Sequence, residues 1–339
     1  MRQAGGKRTL LVLGATGYIG GNVARAAVES GWRVRGLRRR HGALGNAGDL
    51  PVEWFEADLD SPASLDEAFS GAEAVLHCAA YYPRRGAPVA EHVRAGVAQT
   101  RNVLEACRAA GVRSLVYTST LTTIARPPAA DHRLADERDV YLPGSLPKAA
   151  YYECKFAMES EVLRASAQGL PAVILNPTAV IGPGDDPPTL GGVVLAAARG
   201  QGWIWLEADV NLVDVRDVAQ AHVEALTRGE PGQRHILGGR NLTVREALTL
   251  IARLAGVRPP RVRLPLSALD AAAWLSDRLP GLSLLGNHLR AVRHWQGYDC
   301  SRAQRVLRFR PRPLEATLED ALQWYAARGW LKPRGIVVA

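Results

Sequence analysis

Tyr151 and Lys155 lie four residues apart, a spacing that puts both side chains on one face of a helix. A phenol beside an ammonium is an acid–base pair able to pass a proton to or from a substrate oxygen. The chain has 42 basic residues, of which only Lys7, Lys148, Lys155 and Lys332 are lysines, so this lysine is informative. A compact ammonium can bond a ribose diol and bias a nearby phenol, which a rigid guanidinium does less well. Tyr152 is followed four residues on by Phe156 and is no competitor. The run Val116-Tyr117-Thr118-Ser119-Thr120 ends in hydroxyls that could bond the same substrate oxygen. The bland alternative is an amphipathic helix with a surface Tyr–Lys pair.

The partner for this chemistry is suggested near the N-terminus. Gly14-Ala15-Thr16-Gly17-Tyr18-Ile19-Gly20 separates an apolar run, Leu10–Leu13, from a helical pattern, Ile19–Glu29. A glycine turn between strand and helix lets backbone N–H groups face a pyrophosphate, which predicts a bound dinucleotide. The second strand should end beside the adenosine ribose, where an acidic residue selects the free 2′-hydroxyl of NAD. None occurs between Glu29 and Asp49, and Arg38 and Arg39 stand there instead. A guanidinium can grip a 2′-phosphate, so NADP is expected, with NAD as the alternative. The missing acid carries this argument, because an Arg run is common in so Arg-rich a chain. Asp58-Leu59 is placed to meet the adenine edge, unless Asp58 only caps the turn before Pro62. Tyr151 would then exchange a proton while hydride moves to or from nicotinamide. Lys155 and an oxidised nicotinamide are expected to lower its pKa from about 10.

These groups need a scaffold. Apolar runs at Leu10–Leu13, Val34–Leu37, Val52–Phe55, Ala74–His77, Leu115–Thr118 and Val173–Leu175 alternate with helical patterns at Ile19–Glu29, Ser64–Phe69, Val89–Ala109 and Tyr151–Ala167. Such alternation predicts an α/β fold, a Rossmann-type doubly wound parallel sheet. After a Pro/Gly-rich loop the pattern becomes mainly helical, at Thr243–Leu254, Leu266–Arg278, Leu289–Trp295 and Leu314–Ala327, with short strands at Trp203–Leu206 and Asn211–Asp214. The expected division is a nucleotide-binding domain over 1–177 and a smaller, mainly substrate-binding lobe over 178–339, with some segments returning to the sheet.

Composition narrows the classes. The 339 residues are 47% hydrophobic and 22% charged, which excludes a disordered or collagen-like chain. The net charge of +9 comes from arginines spread along the sequence, so it reads as compositional bias rather than a nucleic-acid stripe. Four distant cysteines with no C-x-x-C pair suit free thiols in a reducing cytoplasm. No apolar run is long enough for a membrane span, and no cluster has metal-ligand spacing.

Glycine turn, strand-end hydroxyl and Tyr-x-x-x-Lys, in that order, resemble the extended short-chain dehydrogenase/reductase family, which includes the NAD-dependent epimerase/dehydratase group. His77-Cys78-Ala79-Ala80, Asn176-Pro177-Thr178-Ala179-Val180-Ile181-Gly182-Pro183, Asn211–Ala219 and Arg234–Gly239 are similar to further family motifs. Together they look most like the dihydroflavonol-4-reductase-like subgroup, which includes hopanoid-associated sugar epimerases. The resemblance implies that Tyr151 is the acid/base and Lys155 its partner. It places the family's catalytic Ser at Thr120, with Ser119 on the other face of a regular strand. It puts Ala79, Ala80, Pro177 and Val180 along the cofactor. Asn176 departs from the pattern, since many relatives have Arg before the Pro. A homodimer through Val89–Ala109 and Tyr151–Ala167 is also implied.

For the substrate, Tyr81, Tyr82 and Arg84 follow the fourth strand, and Thr122 and Leu146 lie near the crevice loops. Their mixture of aromatic and aliphatic groups suggests a small apolar or ring-shaped molecule. The reading is an NADP-dependent oxidoreductase acting on a carbonyl/secondary-alcohol pair. The alternative is a sugar-nucleotide epimerase or dehydratase that retains NAD, and a third is a non-catalytic nucleotide sensor.

Overall fold

The computed structural model describes residues 8–83, 87–265, 268 and 294–332. The expected helices at Leu266–Arg278 and Leu289–Trp295 fall almost wholly outside the described residues, as does Arg84.

Seven strands form one parallel sheet: β1 (Thr9–Leu13), β2 (Arg33–Arg38), β3 (Glu53–Glu56), β4 (Ala74–His77), β5 (Ser114–Thr118), β6 (Ala172–Pro177) and β10 (Arg234–Leu237). Their spatial order is β10-β6-β5-β4-β1-β2-β3, and every neighbouring pair is parallel. The order reverses between β1 and β4, which opens a crevice beyond their C-terminal ends. Strands such as Leu10–Leu13 and Ala74–His77 are buried throughout, as runs covered on both faces must be.

Helices α1 (Tyr18–Glu29) and α6 (Val215–Arg228) cover one face of the sheet. Helices α2 (Asp66–Phe69), α3 (Val89–Ala109) and α4 (Ala150–Ala167) cover the other. The remainder of the second half has its own apolar core. It joins α5 (Gly191–Ala198), α7 (Val244–Leu254) and α9 (Leu314–Ala327) to the small sheet of β7 (Ala179–Ile181), β9 (Asp209–Asp214) and β11 (Arg240–Thr243). Strands β8 (Ile204–Leu206) and β12 (Val262–Leu264) pair separately, and α8 (Ser301–Val306) packs on β10.

The pattern of apolar runs locates the first six strands of the large sheet within two residues at most ends. It does not mark β10, α5 or α6 as elements. Strand β10 spells Arg-His-Ile-Leu, and both polar residues are buried, which periodicity does not report. Helix α6 begins inside the motif Asn211–Ala219, where Asp214 caps it by accepting from the Arg216 N–H at 2.7 Å. Its Val218, Ala221 and Ala225 then pack against the large sheet.

Candidate active site

The glycine turn lies at the reversal of strand order. Gly17 N–H donates to Gly14 O at 2.9 Å and closes the turn, with Gly14 at φ +81°. A Cβ on Gly14 would lie 2.7 Å from Ala79 N, so the turn is seated against the chain leaving β4. Gly17 faces the opposite way. It is exposed, and a Cβ there would meet only Gly14 O, at 3.4 Å. Gly17 also caps α1 without a side-chain hydrogen bond, and the first turn of α1 has no acidic residue. The outward N–H groups and the positive helix end thus form a cradle for an anion such as a pyrophosphate. The residues present fit a dinucleotide.

Around this cradle, Thr16, Ile19 and Gly20 belong to the turn and the start of α1, and Ala80 is half-buried beyond Ala79. The Tyr18 hydroxyl donates to Gly182 O at 3.3 Å, tying α1 to the second half. The chain after β2 folds back over Thr16, since a Cβ on Gly45 would lie 1.9 Å from Thr16 O. Arg38 and Arg39 part company here. Arg38 pairs with Glu56 of β3 at 2.8 Å, whereas Arg39 and Arg40 are exposed and make no ion pair among the described residues. Asp58 Oδ1 accepts from Asp60 N–H at 3.0 Å and so does cap its turn, and Leu59 O accepts from Asn102 at 2.8 Å. Pro177 ends β6 and Val180 sits half-buried in β7.

Tyr151 and Lys155 occupy the first two turns of α4, which packs against α3, β6 and the turn that follows β5. Thr120 and Tyr82 lie close enough to the Tyr151 hydroxyl to shift its titration. Thr120 reaches it because its backbone is still extended, at φ −158° and ψ 158°, before a 3-10 turn over Leu121–Thr123. Ser119 turns elsewhere and donates its hydroxyl to Glu159. Lys155 is 4% exposed, and its Nζ lies 4.4 Å from the Tyr82 ring centroid and 5.5 Å from that of Tyr151. Tyr82 stacks on Tyr151 with centroids 5.9 Å apart while keeping 63% of its surface exposed. A phenol, a hydroxyl, a buried ammonium and an aromatic lid therefore converge at one place.

Burial sets the electrostatics. It pushes the Lys155 ammonium down to about 8, with the Cys154 thiol opposing slightly. It holds the Tyr151 phenol above its ordinary value, as does Tyr82, while Thr120 pulls it down. The lowering expected from Lys155 and an oxidised nicotinamide would have to work against this burial. His77 is pushed down to about 3, first by burial and then by Lys155, and so stays neutral.

The remaining substrate candidates are dispersed. Tyr81 turns into the α3 layer, where its hydroxyl meets His92 Nδ1 at 2.9 Å. Thr122 belongs to the 3-10 turn, with its N–H 3.4 Å from Thr120 Oγ1. Leu146 is half-buried in the segment before α4. Sequence reading missed Glu159, which is 3% exposed and one turn beyond Lys155. Extending the i+4 series from Tyr151 and Lys155 would have found it. It also missed Arg234, whose guanidinium pairs with Glu159 from β10. Behind the site, Thr118 Oγ1 lies 2.7 Å from His222 Nε2, and His222 Nδ1 lies 2.7 Å from Val218 O, locking α6 to β5. Among the described residues no metal-binding group occurs, no helix is long and apolar enough to cross a membrane, and the four cysteines are free.

Residues 10–238 match the model of the NAD dependent epimerase/dehydratase family. A Synechocystis protein named "Putative dihydroflavonol 4-reductase" is 32% identical over 95% of both chains. A Stenotrophomonas maltophilia protein named 2-alkyl-3-oxoalkanoate reductase is 30% identical over 93% of this chain and 97% of its own. The crystal structure of a Pseudomonas aeruginosa protein described as a nucleoside-diphosphate-sugar epimerase, 27% identical, superposes with a TM-score of 0.82 over 96% of this chain and all of that one. The chain belongs to the NAD dependent epimerase/dehydratase family and is a pyridine-nucleotide-binding enzyme of the oxidoreductase type.

Proposed function

We propose that this member of the family is an NADP-dependent reductase. It acts on a carbonyl/secondary-alcohol pair in a small apolar or ring-shaped substrate, and its physiological location is the cytoplasm. The observation that carries the reading is the buried Lys155 on the helix face of Tyr151, its Nζ 4.4 Å from the Tyr82 ring centroid and 5.5 Å from that of Tyr151.

Bound nicotinamide would supply the hydride or accept it. The glycine turn and first turn of α1 would hold the pyrophosphate, Ala79, Ala80, Pro177 and Val180 would flank the dinucleotide, and Asp58 and Leu59 would meet the adenine. Arg39 would hold the 2′-phosphate, being exposed directly after β2 with no carboxylate partner among the described residues, whereas Arg38 is paired. Thr120 and Tyr151 would both bond the substrate oxygen. Tyr151 gives that oxygen its proton, and a phenol kept protonated by burial suits donation. Lys155 orients the ribose and steadies negative charge as the phenolic proton leaves. Tyr82 would supply the flat apolar wall against the substrate. The homodimer is proposed on the outer face of α3 and α4, which sedimentation analysis tests directly.

The test is NADPH oxidation with a panel of ketones and aldehydes. Steady consumption is expected for wild type, with Tyr151→Phe and Thr120→Ala each lowering kcat about a hundredfold or more. Full turnover by Tyr151→Phe would end the reading. A second reading, a sugar-nucleotide epimerase retaining NAD, is supported by the Pseudomonas structure. It expects tightly bound NAD in the purified protein and no net consumption of nucleotide.

A further inference from the structure

Glu159 holds a buried carboxylate that the proposed chemistry does not use, and four side chains converge on it. Ser119 Oγ and Asn176 Nδ2, the latter at 2.8 Å, donate to Oε2. Thr123 Oγ1 lies 2.6 Å from the same oxygen, and Arg234 Nη1 reaches Oε1 at 3.4 Å. Two of these side chains also grip the backbone of Thr120. Asn176 Nδ2 lies 3.2 Å and Thr123 Oγ1 2.9 Å from Thr120 O, and Asn176 Nδ2 is 2.9 Å from Thr123 Oγ1. Glu159 Oε2, Thr123 Oγ1 and Asn176 Nδ2 thus each have more than one partner within reach, so this part of the cluster holds its geometry as a unit.

The placement of this cluster matters. Tyr151, Lys155 and Glu159 form one row at i, i+4 and i+8 on α4. Ser119 and Thr120 are consecutive at the end of β5. Ser119 bonds the third group of the row, and Thr120 lies beside the first. The strand end is therefore fastened to the helix at Glu159, about two turns beyond Tyr151. Burying a carboxylate is a poor way to gain stability alone, since apolar residues of the same volume commonly do as well. Fixing a hydroxyl against a phenol is a task for which directional bonds are needed, because small misplacements cost large factors in rate.

We infer that Glu159 is a positioning residue: it ties Ser119 directly, and the Thr120 carbonyl through Asn176 and Thr123, to helix α4, and so sets the separation of the Thr120 and Tyr151 hydroxyls. Arg234, reaching in from the edge strand β10, holds the other oxygen of the carboxylate. Asn176 is suited to this place because its amide bonds the carboxylate and the threonine carbonyl at once. The inference rests on the acid/base reading of Tyr151 and Thr120.

A double-mutant cycle tests it, with kcat for NADPH-dependent carbonyl reduction measured in Glu159→Gln, Thr120→Ala and the double variant. Glu159→Gln is expected to lower kcat about tenfold when Thr120 is present, with the NADPH dissociation constant within about twofold. In the Thr120→Ala background the same change is expected to lower kcat less than about twofold, because there is no hydroxyl left to position. Equal losses in both backgrounds, or a loss confined to thermal stability or nucleotide affinity, would overturn the inference. Ser119→Ala removes one tie and retains the charge cluster, which guards against a misfolded Glu159 variant. It is expected to lower kcat about fivefold with the same non-additivity, and an unchanged kcat there would refute the role. Full turnover by Thr120→Ala alone would instead remove the acid/base reading, and the inference with it.

Discussion

Lys155 should destabilise the protein that it serves. Its ammonium is 4% exposed, and burial moves its pKa from 10.5 to about 8. At about 1.4 kcal/mol per pH unit, that fall corresponds to about 3 kcal/mol against the charged form. The Tyr82 face, 4.4 Å from Nζ, returns about 1 kcal/mol as a cation–π contact. Lys155→Met keeps the length of the side chain and removes the charge. It should therefore stabilise the nucleotide-free protein by about 2 kcal/mol at pH 7, or about 2–4 °C in Tm for a chain of this length, while abolishing turnover. The sign with pH follows from the two pKa values. Below about 8 the ammonium is charged in the folded and unfolded states alike, and wild type bears the full penalty. Between about 8 and 10.5 the folded form loses its proton first, so the penalty fades, falling below half by about pH 9.5. Thermal melts of both proteins at pH 7 and 9.5 check this. A variant no more stable than wild type at pH 7, or one whose advantage does not shrink by pH 9.5, would show that a buried charge is not what Lys155 costs the fold.

Gly17→Ala should leave Tm within about 1 °C, because its Cβ meets only Gly14 O at 3.4 Å, yet weaken nucleotide binding at least about tenfold in a fluorescence titration. Gly20→Ala, whose Cβ would lie 2.0 Å from Gly14 O, should lower Tm by several degrees as well. Arg39→Ala should raise KM for NADPH about tenfold and leave KM for NADH unchanged, as expected for one lost charge-assisted bond. Arg38→Ala should discriminate less, since Glu56 already neutralises that guanidinium; equal effects of the two variants on both nucleotides would refute the assignment. In carbonyl reduction, kcat/KM should hold steady from pH 6 to 7.5 and fall above about 8 as Lys155 loses its proton. A profile rising through that range would assign the limb to another group.

The sequence made the large sheet legible where strands are uninterrupted apolar runs bounded by Gly or Pro, as at Leu10–Leu13 and Ala74–His77. It made Tyr151 and Lys155 legible because a helix turns spacing into a shared face. It could not show that Arg38 is neutralised, because Glu56 becomes its neighbour only through the register of β2 on β3. Nor could it show the direction of the Tyr151 shift, which depends on how deeply α4 is packed. Tyr81 and Tyr82 looked alike in sequence, and their fates differ because adjacent side chains on an extended chain point to opposite sides. Tyr81 bonds His92 in the α3 layer, whereas Tyr82 covers Lys155.

The two halves of the chain also share the site more than its rhythm suggests. The glycine turn, the threonine and the phenol–ammonium pair all come before residue 177. Yet Arg234 of β10 reaches the carboxylate beneath Thr120, and His222 of α6 bonds Thr118 one step back along β5. Both contacts are buried, and removing one partner of a buried polar pair costs about 1–3 kcal/mol through the group left unpaired. A fragment ending near residue 177 would leave Glu159 without its guanidinium and Thr118 without its imidazole, at the strand end where Thr120 must be held. The polar residues of the second half therefore support the geometry of the first, and the acid–base chemistry proposed for Tyr151 requires both.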